Sequence, residues 1–209
     1  MQVPSLVEIL AREAVLLGAL RLGSFKLSSG AVSPVYLDAR SLLQSPRAYR
    51  LVAAGLTELM YRMEDKYGGF DAIVGVATGG VPWAAMLAYV SGKPLGYARP
   101  RRKQHGLGRT VEGACTGRVL LVDDVATTGG SLAAAAEAVR EHGGRPVAAA
   151  VIVDREQGAR ELLAEHGVKL HPLTTLRSLL QAAAGMGLLD RREVERVIST
   201  LYGGRLEES

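Results

Sequence analysis

Residues 71–172 predict an α/β fold: a parallel sheet flanked by helices on both faces, with a small N-terminal cap. Three observations lead there. Apolar runs recur at 72–76, 94–98, 119–122, 147–153 and 168–172. Helical segments at 83–90, 131–142 and 158–166 separate them. The runs are continuous rather than alternating with polar residues, as in strands covered on both faces.

The elements follow in order. In residues 3–20, Val3, Leu6, Val7, Leu10, Ala14 and Leu17 fall on one helical face that ends at Gly18. Two extended segments, 24–27 and 34–38, flank a turn at Ser28, Ser29 and Gly30. Residues 46–65 form a helix with Leu51, Val52, Leu56 and Leu59 inward. The strand–loop–helix units then begin, and residues 174–200 return to helix. This pattern divides the chain into a hood, 1–40, and a core, 41–209, with the C-terminal helices packed on the core. In such sheets ligands bind outside the carboxyl ends of the strands.

The bulk composition narrows the classes. The chain has 209 residues, 48% hydrophobic and 22% charged, which excludes a disordered protein. The formal net charge is +4. Nucleic acid is not the expected partner, because the basic residues concentrate in one short stretch: Arg99, Arg101, Arg102, Lys103, His105 and Arg109. Elsewhere they sit beside acids, as a site for a polyphosphate or carboxylate allows. A single cysteine, Cys115, permits no internal disulfide and suits a reducing cytoplasm. No signal pattern opens the chain, since Glu8, Arg12 and Glu13 interrupt its apolar residues, and no run reaches the roughly 20 apolar residues of a membrane helix.

The strongest motif is VLLVDDVATTGGS at 119–131: an apolar strand, two acids, a small-residue loop, then a helix. Backbone amides from Ala126 to Ser131 converge near a helix N-terminus, which favours an anion. Gly129 and Gly130 let the backbone approach it closely. Thr127 and Thr128 add hydroxyl donors. Asp123 and Asp124 are wrong for phosphate but suit a ribose diol, whose hydroxyls they accept, and they stabilise positive charge developing on the ribose. A ribose phosphate is therefore the expected ligand. A Walker loop needs Gly-Lys-Ser/Thr, and no Lys is present here. A dinucleotide fingerprint needs a different glycine spacing and no paired acids.

At these residues the sequence resembles the 5-phosphoribosyl 1-diphosphate (PRPP) motif of the type I phosphoribosyltransferase family. The resemblance implies that Asp123 and Asp124 contact the ribose hydroxyls. It places Val125, Ala126, Thr127, Thr128, Gly129, Gly130 and Ser131 around the 5-phosphate. It also implies Mg²⁺ as the cofactor, carried by PRPP with no direct protein ligand.

Four further segments resemble the orotate branch of that family. Phe25 to Gly30 with Ser33 to Asp38 resembles its N-terminal substrate region. Thr78, Gly79, Gly80, Val81 and Pro82 resemble its diphosphate-side loop. The run 97–106 resembles its catalytic loop, which implies that Arg99, Lys103 and His105 act on the departing diphosphate. Asp154, Arg155 and Gly158 resemble the segment whose arginine contacts the orotate carboxylate, a bidentate anchor for an anionic pyrimidine. Tyr36, Lys26 and Thr127 complete the expected orotate contacts. The resemblance implies a homodimer in which the 99–109 loop is shared between subunits, with no nucleic acid or membrane partner.

Three positions depart from the family pattern: Ser28, Gly79 and Pro100 stand where lysines are common. Lys26, Arg101 and Arg102 are the candidates to replace those charges. Two other readings compete. A purine or uracil phosphoribosyltransferase keeps the PRPP motif without the Lys103/His105 loop or the 25–38 cap. A PRPP-sensing regulator needs a DNA-binding helix pair before the core, where residues 1–20 offer one helix.

Overall fold

The computed structural model describes residues 4–26, 32–99 and 110–203. They fall into two compact units, one of residues up to Tyr49 together with those from Leu176 onward, the other Arg50–Thr175.

In the first unit, α1 (Leu6–Leu16) starts at a capping box. Ser5 Oγ accepts from Glu8 N at 3.2 Å, and Ser5 N donates to Glu8 Oε2 at 2.6 Å. Leu10, Ala11 and Ala14 form its buried face. The buried carboxylate of Glu13 is matched by Arg47 at 3.3 Å. β1 (Leu20–Lys26) and β2 (Val32–Leu37) pair antiparallel, with Arg21 opposite Tyr36. A short 3-10 helix, Ala39–Gln44, follows, capped by Asp38. Then α2 (Pro46–Tyr67) begins; from Arg50 it belongs to the second unit, where its Val52, Leu56, Met60 and Met63 are buried.

The second unit is built on β3 (Ala72–Val76), β4 (Leu95–Ala98), β5 (Val111–Gly113), β6 (Gly117–Ala126), β7 (Gly144–Asp154) and β8 (Lys169–Thr175). They form one sheet in the order β5-β4-β3-β6-β7-β8. Every neighbour pair is parallel except β4 with β5. The expected parallel sheet is there, with one antiparallel strand, β5, added at its edge. β5 has three residues and no apolar run, so nothing in its sequence marks it as a strand.

Helices cover both faces, as expected. Leu132, Ala136 and Val139 of α4 (Gly130–Glu141) and Leu163 of α5 (Ala159–Glu165) pack with Val74, Leu121 and Val151. On the opposite face, α3 (Val81–Ser91) sits so close that a β-carbon on Gly75 would lie 2.8 Å from Val81 Cα. α2 lies beside α3, with Thr57 Oγ1 3.9 Å from Met86 Sδ. From β3 the chain crosses to β4, while from β6 it crosses the other way to β7. The order therefore reverses between β3 and β6, which opens a crevice at their carboxyl ends.

The chain ends in α6 (Leu176–Gly185) and α7 (Arg191–Tyr202), with Asp190 capping α7 through Glu193 N at 2.9 Å. These helices group with the N-terminal residues, α6 against α1 and α7 against α6 and β2. The expected division at residue 40 placed them on the core instead. Their apolar spacing marks them as helices, but it does not name the surface they cover.

Candidate functional site

The crevice begins where β6 runs out of its apolar stretch. Asp123 pairs with Val151 in the sheet and is 7% exposed; its Oδ1 accepts from Asp124 N at 2.9 Å. Asp124 Oδ1 in turn accepts from Val125 N at 2.8 Å. Burial, with the adjacent Asp124 charge second, pushes the Asp123 carboxyl up to about 8.

The loop after the acids turns at Gly129, whose φ of +83° suits a residue without a side chain. A β-carbon there would also stand 3.0 Å from Ala159 Cα. Gly129 O accepts from Ala133 N at 2.8 Å and starts α4, and no side chain caps this helix. The early amides of α4 therefore face a small concavity of about 100 Å³, lined by Asp123 and by residues 125–132. Uncapped amides at a helix start favour an anion of phosphate size.

The loop after β3 forms the opposite wall. Gly80 N donates to Val76 O at 2.9 Å, the Ala77–Thr78 peptide is cis, and Thr78 is exposed. Gly79 and Gly80 press on the paired acids. A β-carbon on Gly79 would fall on the Asp124 carboxylate, and one on Gly80 would lie 2.8 Å from Asp123 Cα. The chain carries glycine at 79, where the family often has lysine, and here that residue leaves room for Asp124.

Arg155 sits at the end of β7, 8% exposed, and its N donates to Ala126 O at 2.8 Å. This bond sets Arg155 directly beside Thr127. Asp154 before it is fully buried, and its Oδ2 accepts from Arg160 Nε at 2.9 Å. Arg160 is a residue that the sequence reading missed, because nothing local ties it to Asp154.

Arg99 closes β4. Its N donates to Thr110 O at 2.8 Å, and its guanidinium meets Tyr97 Oη at 3.1 Å and Glu112 at 3.5 Å. Hydrogen bonding to Tyr97 holds its pKa above the usual value. Lys103 and His105 lie outside the described residues, as do Ser28, Pro100, Arg101 and Arg102. Asp123, Asp124, Thr78, Gly79, Arg155 and the 125–131 loop thus meet around the carboxyl ends of β3, β6 and β7.

In the hood unit, Tyr36 donates to Asp38 Oδ2 at 3.2 Å. The Arg21 guanidinium lies 4.7 Å from its ring centroid, and Phe25 is 5.4 Å away. Arg21 was not picked out by sequence; its register opposite Tyr36 is the signal that finds it. Lys26 is exposed at the end of β1. A cavity of about 650 Å³ lies between α6 and α7 of this unit. It is larger than the concavity at β6 but holds none of the acids or glycines that make the chemistry. Among the described residues, no group of three or more His, Cys, Asp or Glu is placed to hold a metal ion, and no helix is long and apolar enough to cross a membrane.

Comparison with known proteins agrees with this geometry. Residues 41–169 match the family model of the phosphoribosyl transferase domain. The chain is 42% identical over 188 residues to the orotate phosphoribosyltransferase of Pyrobaculum islandicum, covering 88% of this chain and 94% of that one. The crystal structure of orotate phosphoribosyltransferase from Aeropyrum pernix superposes with a TM-score of 0.72 at 44% identity, covering 85% of this chain and 99% of that one. The UMP synthase of Leishmania donovani gives a TM-score of 0.78 at 31% identity, covering 93% of this chain but 42% of that one.

Proposed function

The chain belongs to the orotate phosphoribosyltransferase family, and from that membership we propose that it transfers the 5-phosphoribosyl group of Mg-PRPP to orotate. The products are orotidine 5-phosphate and diphosphate, in de novo pyrimidine (UMP) biosynthesis. The observation that carries the reading is the crevice at β3 and β6. There a glycine loop presses on two acids beside an uncapped helix start, and Arg155 is hydrogen-bonded to the strand that bears them.

The residues divide the work. Amides of 126–131 hold the 5-phosphate, and Asp123 and Asp124 accept the ribose hydroxyls. Thr78 and Gly79 face the diphosphate. Arg155, with Thr127, takes the orotate carboxylate, while Tyr36 and Lys26 are the hood's contributions. The orotate ring nitrogen attacks the anomeric carbon as that carbon's bond to the diphosphate oxygen breaks, and the nitrogen's proton passes to the departing diphosphate or to water. No side chain serves as a covalent nucleophile, so catalysis rests on positioning and charge stabilisation. Arg99, Lys103 and His105 offset the charge gathering on the diphosphate, and the loop that bears them excludes water.

The acids fit a magnesium ion borne by the substrate: there are two of them, both already engaged by backbone amides. Such an ion, brought in with the substrate, would supply charge neutralisation of the leaving group. The assembly we propose is a homodimer sharing the 99–109 loop, in the cytoplasm. Exposed Tyr89 and Val90 at the end of α3, with Leu95 on β4, support an apolar subunit contact.

The test is orotate consumption followed by ultraviolet absorbance, with Mg²⁺ and PRPP, and with uracil and hypoxanthine in parallel. Orotate-dependent turnover that stops on chelation of Mg²⁺ is the expected result. Turnover with uracil or hypoxanthine alone would overturn the substrate assignment, and no turnover with any base would overturn the reaction.

A further inference from the structure

Arg155 is held in place by its neighbours. Its N–H is fixed to Ala126 O at 2.8 Å, at the last pairing of β6 with β7. The next residue, Glu156, turns the chain with a φ of +56°, a conformation rare for a residue with a side chain. One group spans this turn. Asp154 Oδ1 accepts from Glu156 N at 2.8 Å, while Oδ2 accepts from Arg160 Nε at 2.9 Å. Asp154 is fully buried, whereas the Arg160 side chain is 51% exposed.

A fully buried carboxylate is costly unless it is paired and hydrogen-bonded. Asp154 has a backbone amide on one oxygen and a guanidinium on the other. Without Arg160, the carboxylate has reason to rotate towards water and release Glu156 N. The turn that points Arg155 then loses its clamp. The PRPP contacts lie on β6 and its loop, which meet Asp154 through backbone pairing at Ala126, whereas the Asp154 carboxylate bonds Glu156 N and Arg160 Nε.

We infer that Arg160 is a positioning residue for the orotate-binding arginine: from the first turn of α5 it fixes the 154–156 turn through Asp154, and so sets the affinity for the pyrimidine carboxylate. The inference rests on the reading of Arg155 as the orotate anchor. A misplacement of about 1 Å in such a site costs up to about a hundredfold, so a loosened turn is expected to cost about tenfold.

The experiment is steady-state kinetics on the full chain carrying Arg160→Ala, Arg160→Lys, Asp154→Asn, Arg160→Ala with Asp154→Asn, or Arg155→Ala. Arg160→Ala should raise the orotate KM about tenfold, leave the PRPP KM within about twofold, and largely spare kcat. Arg160→Lys should restore part of the loss. Arg160→Ala should add little in the Asp154→Asn background, since the effect runs through that carboxylate. If Arg155→Ala raises the orotate KM but Arg160→Ala does not, the inference is wrong and the Arg155 assignment stands. Equal rises in both KM values, or an undiminished loss in the Asp154→Asn background, also overturn it. An unchanged orotate KM in Arg155→Ala removes the Arg155 assignment and the inference together.

Discussion

A β-carbon on Gly79 would stand 2.4 Å from the carboxyl atoms of Asp124. The loop after β3 therefore has no room for a side chain where it meets Asp124. Gly79→Ala should push that carboxylate off Val125 N and raise the PRPP KM by about tenfold, the worth of one charge-assisted hydrogen bond. Gly80→Ala is a different case. Its β-carbon would meet backbone, 2.0 Å from Val122 O, and should cost about 1–3 kcal/mol of stability. Thermal melting and PRPP titration of both variants separate the two effects; a large melting loss in Gly79→Ala alone would refute the distinction.

The Asp123 carboxyl, raised to about 8 from 3.8, makes the free protein's stability depend on pH. Between those values the folded state binds more protons than the unfolded chain, so stability falls as pH rises from about 4 to about 8. Asp123→Asn should remove the burial penalty, flatten that slope and raise the melting temperature at pH 8 by several degrees. Melting curves at pH 5, 6.5 and 8 check it, and parallel slopes in the two proteins would count against the assignment.

The same group couples PRPP binding to protons. A carboxylate that accepts the ribose hydroxyls must be ionised, yet near pH 7 in the free protein Asp123 is largely protonated. Binding at pH 7 should therefore release a proton fraction approaching one. Calorimetry in two buffers of different ionisation heat measures this release, and it should vanish in Asp123→Asn.

Lys103 tests the charge on the leaving group. Lys103→Ala should lower kcat by about a hundredfold or more while changing PRPP affinity by less than about threefold. Comparable losses in both would assign Lys103 to ground-state binding.

The concavity at the end of β6 was legible because it is local. Strand, acids, glycines and helix start follow one another in thirteen consecutive residues, 119–131, and the backbone needs no distant partner to shape them. What escaped depends on distance along the chain. β5 exists through pairing with β4, Gly113 opposite Gly96, and its own three residues carry no pattern. Arg160 finds Asp154 only because α5 turns its first residues back over the end of β7. Arg21, whose guanidinium lies against the Tyr36 ring, is likewise a neighbour set by hairpin register. Residues 174–200 read as helix, while the contact of α6 with α1 is invisible in either segment alone.

The bond from Arg99 N to Thr110 O, just past the Ala98–Val111 pairing, joins the two ends of the cationic segment to the same pair of strands. The scaffold therefore fixes where that segment leaves and returns but not how long it is. A tight two-residue turn closes such a hairpin equally well, and each doubling of a connection between fixed ends costs only about 0.6 kcal/mol. Residues 100–109 are in this sense an exchangeable cassette. Their length and charges are open to change at little cost to the sheet, and a chain with the cassette cut down to a turn is expected to keep the crevice at β3 and β6.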